Sequence, residues 1–224
     1  MENNVFFTSD LHIGHFNIMK YCPNRLSAVG LTLDQALEDK HKAISLMNEY
    51  ILDTWNSTVK DNDEVYVLGD CKLSGSEWNE KVLSKLKGKK HLILGNHDKD
   101  KGMFSLFESV NNMGEMVFSR QEFPFLNKEG LGIVMCHYPM LTWHHRSWGW
   151  VQLHGHCHGS IDEMNRKSGE LRVDVGFDGS LGNMGLVSLE QLHKFFSEIA
   201  YSEGCEDLLS YASGMVRSLN NGLD

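Results

Sequence analysis

Val5-Phe6-Phe7-Thr8-Ser9-Asp10-Leu11-His12-Ile13-Gly14-His15 is the stretch from which the fold can be read. Its first five residues form a short apolar run that predicts a buried strand, and the run stops at Asp10, where a polar loop containing a glycine begins. The arrangement recurs downstream. Val65-Tyr66-Val67-Leu68 is closed by Gly69-Asp70, and Leu92-Ile93-Leu94 by Gly95-Asn96-His97-Asp98. Between the first two runs, Leu33, Leu37, Ile44, Met47, Ile51 and Trp55 fall near a period of 3.6, with Thr32 and Asp34 as start signals. They predict one long amphipathic helix over 33–55, and residues 77–86 also read as helical. Strand, helix, strand, helix, strand is the alternation that builds right-handed crossovers and a parallel sheet.

The second half of the chain has a different rhythm. Ile133-Val134-Met135-Cys136 leads to His137, Val151-Gln152-Leu153 leads to His154 through His158, and Leu171 to Val175 follows, with few helical signals between them. These runs predict consecutive strands in a second sheet packed on the first. Leu189 to Ile199, and then Leu208, Ala212, Met215 and Leu219, are spaced like amphipathic helices. There is no internal repeat or low-complexity linker. The expectation is one α/β domain over residues 1–224 that includes a C-terminal helical segment at about 188–219.

Composition narrows the function. Hydrophobic residues at 41% and charged residues at 23% are ordinary for a folded protein, and no apolar stretch is long enough to span a bilayer. The N-terminus lacks a basic-then-apolar leader, so a cytoplasmic location is the plain expectation. The five cysteines are scattered and form no Cys-x-x-Cys pair, which suggests reduced thiols rather than a disulfide framework or a thiolate zinc cage. A net charge of −9 disfavours a broad grip on long double-stranded nucleic acid, which needs many Lys and Arg contacts. Twelve histidines are the one compositional oddity, and their positions are informative.

Five strand ends terminate in metal-ligand residue types: Asp10 with His12, Asp70, Asn96 with His97, His137, and His156 with His158. In α/β sheets ligands collect at the carboxyl ends of strands, so loops far apart in sequence can converge there. Imidazoles and carboxylates at this density suit transition-metal ions, and the Asn96 amide offers a further oxygen. These donors are too many for one tetrahedral ion. Two ions sharing a bridging carboxylate would absorb them, a pairing characteristic of phosphoester chemistry. Residues i and i+2 of an extended segment point the same way, so Asp10 with His12, and His156 with His158, can reach one site together. Gly69, Gly95 and Gly155 each precede a ligand, where a missing side chain permits a close approach of backbone.

Asp10-Leu11-His12, Gly69-Asp70, Gly95-Asn96-His97-Asp98, Cys136-His137 and Gly155-His156-Cys157-His158, in that order, resemble the motifs of the calcineurin-like metallophosphoesterase family. Asp10 to Ile18 is similar to a small-protein branch with a D-L-H-x-G-H-x-N-I start. The resemblance implies a four-layer α/β/β/α sandwich of two mixed sheets packed face to face. It also implies that Asp10, His12 and His158 hold one metal, that Asp70 bridges, and that Asn96, His137 and His156 hold the second. A metal-bridging hydroxide would attack phosphorus, and His97 would contact the phosphate and assist the leaving oxygen. Mn2+ is the first expectation for both ions, while the ligands also accept Fe, Zn2+, Ni2+ or Co2+.

The expected reaction is hydrolysis of a small or nucleotide-like phosphodiester, with phosphomonoesters second. Protein serine/threonine phosphatases are disfavoured because Gly69-Asp70-Cys71-Lys72 and Leu94-Gly95-Asn96-His97-Asp98 depart from their longer GDxVDRG and RGNHE signatures. The competing class is a non-catalytic metal-binding interaction module, which retention of His97 speaks against. His15, Asn17, His144 and Arg146 are candidate substrate contacts, the last two in a segment that carries Trp143, Trp148 and Trp150. That segment reads equally as a stacking surface for a ring or as a lid packed by its tryptophans. His145, His154 and Asp178 stand undecided. His41, His91 and His193 match no motif and read as structural or surface residues.

Overall fold

The computed structural model describes residues 4–73, 77–119 and 130–221. Strand β1 (Val5–Thr8) is followed by α1 (Ile18–Tyr21), α2 (Pro23–Ala28), α3 (Leu33–Glu38) and α4 (Lys40–Thr58). Then come β2 (Glu64–Val67), α5 (Glu77–Lys81), β3 (Lys89–Ile93) and β4 (Ser109–Asn111). The second half contains β5 (Gly114–Phe118), β6 (Leu131–Met135), β7 (Val151–His154), α6 (Asp162–Ser168) and β8 (Arg172–Asp174). It closes with β9 (Val187–Ser188), α7 (Leu189–Ser202) and α8 (Leu208–Asn221).

The strands form two mixed sheets with flanking helices. One has the order β4-β3-β2-β1-β9, parallel except for the antiparallel β1–β9 pair; the other has the order β5-β6-β7-β8, parallel except for β5–β6. Strand alternation divides the core between the two faces of the first sheet. Phe6, Val65, Val67 and Leu92 face outward onto Met47, Ile51 and Trp55 of α4. Phe7, Leu68 and Ile93 join Ile133, Val134, Leu153 and Val173 of the second sheet, together with Leu192 and Phe196 of α7. This is the α/β fold expected of two sheets face to face.

Two expectations need correction. The 33–55 helix is broken at Asp39, whose carboxylate accepts the Lys42 N–H at 3.0 Å and so starts α4 afresh. Helix α3 carries its own capping box between Thr32 and Gln35, and Leu33 and Leu37 are exposed rather than packed on a sheet. The stretch between β7 and β8 is also not strand and loop alone. These strands are parallel and need a crossover, which α6 supplies. Residues 77–86 form the short α5 and then a 3-10 turn at Leu83–Lys85.

Candidate metal centre

Asp10, His12, Asp70, His156 and His158 all have left-handed backbone, with φ between 48° and 68°. For residues with side chains this conformation costs about 1 kcal/mol each. Cross-loop hydrogen bonds hold them there: Asp10 N–H donates to the Gly69 carbonyl at 2.9 Å and His12 N–H to the Asp70 carbonyl at 3.0 Å. The Asp10 carboxylate accepts the His156 N–H at 2.9 Å, and that of Asp70 accepts the His97 N–H at 2.8 Å. Asp98 is buried and receives the N–H groups of Asp70, Cys71 and Gly95. The i, i+2 pairs therefore converge through left-handed turns rather than through extended chain.

The glycines are required by close approach. A Cβ at Gly69, whose φ is 93°, would lie 2.5 Å from Nδ1 of His137, one at Gly95 would strike the Asp70 carboxylate, and one at Gly155 would strike Ser9 Oγ and Asp10 Oδ2.

The side chains gather in two sets. Nε2 of His12 and Nε2 of His158 lie 3.9 and 3.8 Å from Asp10 Oδ1. In the other set, Nε2 of His137 lies 3.6 Å from Asp70 Oδ2 and 3.1 Å from Asn96 Oδ1, and the His156 ring contacts the His137 ring with centroids 5.1 Å apart. Asp70 Oδ2 is also 3.9 Å from His12 Nε2, which joins the sets. Asp10–His12–His158 and Asp70–His137–His156 each bring donor atoms within 4.8 Å of one another, close enough to hold a metal ion. His97, a partly exposed side chain, has Nε2 3.9 Å from the same Asp70 oxygen.

Buried donors without partners show that this cluster fits a cation. Among the described residues, Asp10 Oδ1 and both ring nitrogens of His12 have no hydrogen-bond partner although their residues are buried. Left alone, such groups carry a large desolvation cost. Burial pushes the Asp10 carboxyl up to about 8, with His158 opposing, and lowers His12 to about 2, with Arg25 adding to the effect. His156 and His15 are likewise lowered, first by burial. A cation among the donors would replace the proton that a buried Asp10 otherwise retains.

Behind the Asp10 set lies a second layer made of Arg25, which sequence reasoning missed, and Asp178, which it left undecided. Arg25 is fully buried, with Nη1 donating to the Leu11 carbonyl at 2.9 Å, Nη2 to the Asp10 carbonyl at 2.5 Å and Nε to Asp178 at 2.7 Å. The other Asp178 oxygen is 3.0 Å from Nδ1 of His158. Desolvation opposes both charges, yet the mutual hydrogen bond and neighbouring charges raise His158 to about 10 and hold Asp178 well below the usual carboxylate range. Arg25 sits in Pro23-Asn24-Arg25-Leu26, where Pro23 marks a helix start but nothing marks a buried guanidinium.

The remaining candidates fall into different surroundings. His15 adjoins His12, with ring centroids 5.5 Å apart, and its Nδ1 is buried without a partner among the described residues. Asn17 is exposed at the head of α1 and makes no side-chain cap bond. His144 meets Glu115 at 3.1 Å, and Arg146 bonds Glu170 at 3.0 Å while lying over the Trp143 ring, so both are engaged by residues outside the two donor sets. Trp143 is buried and donates to the Trp150 carbonyl at 2.8 Å, and Trp150 packs over Gly132, while Trp148 stays exposed. His154 is buried in a network with Asn165 and the Gly155 carbonyl, and His91 bonds Ser109 and Glu64. Among the described residues no helix is long and apolar enough to cross a membrane.

Comparison with known proteins bears on the fold and the family. An uncharacterised protein of Methanocaldococcus jannaschii is 29% identical over 177 residues, which span 76% of this chain and 81% of that protein. The gene 66 proteins of mycobacteriophages L5 and D29 are 28% and 25% identical, covering 90% and 88% of this chain and 98% of their own lengths. A crystal structure of an Aquifex aeolicus protein of unknown function shares the fold with a TM-score of 0.59 at 21% identity, over 86% of this chain and 99% of that one. The calcineurin-like phosphoesterase model matches residues 4–174, a span that holds all five strand-end motifs, and the chain belongs to that metal-dependent family.

Proposed function

We propose that the chain is a dinuclear phosphoesterase acting on a small or nucleotide-like phosphodiester. The observation that carries this reading is the pair of donor sets joined at Asp70 Oδ2, with His97 beside the same oxygen. Asp10, His12 and His158 would hold one ion and Asn96, His137 and His156 the other, with Asp70 shared. Mn2+ is the first choice. When bound, two such ions supply Lewis acidity toward phosphate oxygens and lower the pKa of water.

The chain's own side chains do the rest. Asp98 fixes the loops of Asp70 and Gly95 through three backbone N–H groups, which sets the position of His97. His97 donates a hydrogen bond to the phosphate and delivers a proton to the leaving oxygen, work typically worth about 10²- to 10⁴-fold. His15, whose ring adjoins that of His12, contacts the substrate. The net charge of −9 favours a small substrate over a long duplex, and the free thiols favour a reducing, cytoplasmic compartment. Residues 1–224 would act as one unit, since Tyr211 of α8 bonds the Gly169 carbonyl at 2.7 Å.

The test is turnover of a chromogenic bis-aryl phosphodiester and of the matching monoester with Mn2+, then with chelator. The diester should be cleaved faster, chelator should abolish cleavage, and His97→Ala should lower kcat about 10²-fold with metal content unchanged. Full metal occupancy without turnover of either ester would instead favour a non-catalytic metal-binding module.

A further inference from the structure

We propose that Arg25 and Asp178 are positioning residues that make the Asp10, His12 and His158 set the tighter of the two metal sites, an inference that rests on the two-ion reading above. His158 and the backbone that carries Asp10 and His12 are constrained from behind, and the His12 ring, which no hydrogen bond orients among the described residues, is held by burial. The Asp178 carboxylate accepts the Nδ1–H of His158, which turns Nε2, 3.8 Å from Asp10 Oδ1, toward the place of the ion as the nitrogen that would ligate once its proton is displaced. Arg25 pins the carbonyls of Asp10 and Leu11, which keeps the left-handed turn that presents both Asp10 and His12. The pair is closed by the Arg25 Nε–Asp178 bond and is almost wholly buried, so it has little freedom to move.

The other set is looser. His137 is fixed by its Nδ1 contact with the Leu68 carbonyl, at 2.8 Å, but His156 is exposed and, among the described residues, no hydrogen bond orients its ring. Asn96 contributes a neutral amide. A donor set already in place loses less freedom when an ion enters and therefore binds it more tightly.

Charge alone makes the opposite prediction for one variant, which separates the two explanations. Removing the Arg25 cation leaves Asp178 as an additional negative charge near the ion and would tighten binding by electrostatics. If positioning governs, the same change weakens it. The experiment is calorimetric titration of metal-free full-length protein with Mn2+ alone, in wild type, Asp178→Asn and Arg25→Met. Wild type should show two phases. Asp178→Asn should weaken the tighter phase by about 10- to 100-fold, the usual effect of losing an outer-shell partner, and leave the weaker phase within about threefold. Arg25→Met should weaken the tighter phase about tenfold.

An unchanged tighter phase in Asp178→Asn, an equal fall in both phases, or tighter binding by a folded Arg25→Met overturns the proposal. If Arg25→Met does not fold, as judged by thermal melting, Arg25→Lys takes its place: it keeps the charge but loses the fork to the Asp10 and Leu11 carbonyls, so a weakened tighter phase upholds positioning and an unchanged one overturns it. Uptake of one ion by wild type contradicts the two-ion reading; a weakened single phase in Asp178→Asn then still upholds the positioning role, and an unchanged one rejects it too.

Discussion

The two halves of the site use similar ligands on different foundations. Asp10, His12 and His158 rest on charged side chains, with Arg25 and Asp178 reaching the turn backbone and one imidazole. Asp70, Asn96, His137 and His156 rest mostly on backbone, through Asp98 gathering N–H groups and His137 touching a carbonyl. One half is held side chain by side chain and the other loop by loop. The difference suggests how one centre can keep one donor set rigid while the other stays adaptable, and it places Asp70 where both halves meet.

Breaking the junction should have the largest effect. Asp70→Asn removes the shared anionic oxygen; metal charge stabilisation is worth several kcal/mol and each factor of ten in rate corresponds to 1.36 kcal/mol, so kcat should fall by about 10³-fold or more. Steady-state kinetics alongside metal analysis checks this, and near-normal turnover would remove Asp70 from its bridging place. Next in size is Gly155→Ala, whose methyl would press on Ser9 and the Asp10 carboxylate. It disturbs the charged half specifically, so activity should fall about 10²-fold and metal content should drop toward one ion per chain.

A pH series compares the halves without mutation. In chelated protein Asp10 holds its proton up to about 8, against about 3.9 unfolded, so its contribution to stability is greatest at low pH and is lost as pH rises toward 8. His158, raised to about 10, contributes fully below about 6.5 and loses that contribution as pH rises further. Both slopes have the same sign between pH 7 and 8. His12, neutral when folded and at most about a quarter protonated when unfolded there, adds only a small slope of the opposite sign. The melting temperature of chelated protein should thus fall by a few degrees across that interval. Added Mn2+ should flatten the curve, because the ion takes the place of the Asp10 proton. Asp178 acts in the other direction at low pH: its contribution is present above about pH 4 and lost as pH falls further.

The smallest expected effect is Trp148→Ala. This exposed ring lies on the segment whose Trp143 and Trp150 are packed, and kcat/KM for a small aryl diester should stay within about twofold. A large rise in KM for nucleotide diesters alone would return that segment to the substrate.

What could be read from the sequence follows the period of each signal. Val5 to Ser9, Val65 to Leu68 and Leu92 to Leu94 announce strands that end at chemistry because runs stopping at Asp10, at Gly69-Asp70 and at Gly95-Asn96 leave few alternatives. The β5 and β9 strands left no comparable mark, since β9 is two residues long and β5 is a partly exposed edge. Asp39 broke the long helix through a local carboxylate bond that competes with apolar periodicity. In the site, the residues with a motif came together, whereas Arg25 and Asp178 carry no local pattern: they meet across 153 positions, and only the folded chain reveals a fully buried guanidinium. His144 and Arg146 were suggested by composition, and acidic partners on other elements occupy them instead.

The central claim is that two ions share Asp70. Crystals grown with Mn2+ and measured at its absorption edge test it most directly. The account predicts two anomalous peaks of similar height, one among Asp10, His12 and His158 and the other among Asn96, His137 and His156, with Asp70 touching both. A single peak in crystals saturated with Mn2+, or a pair that leaves Asp70 without a metal contact, would contradict it.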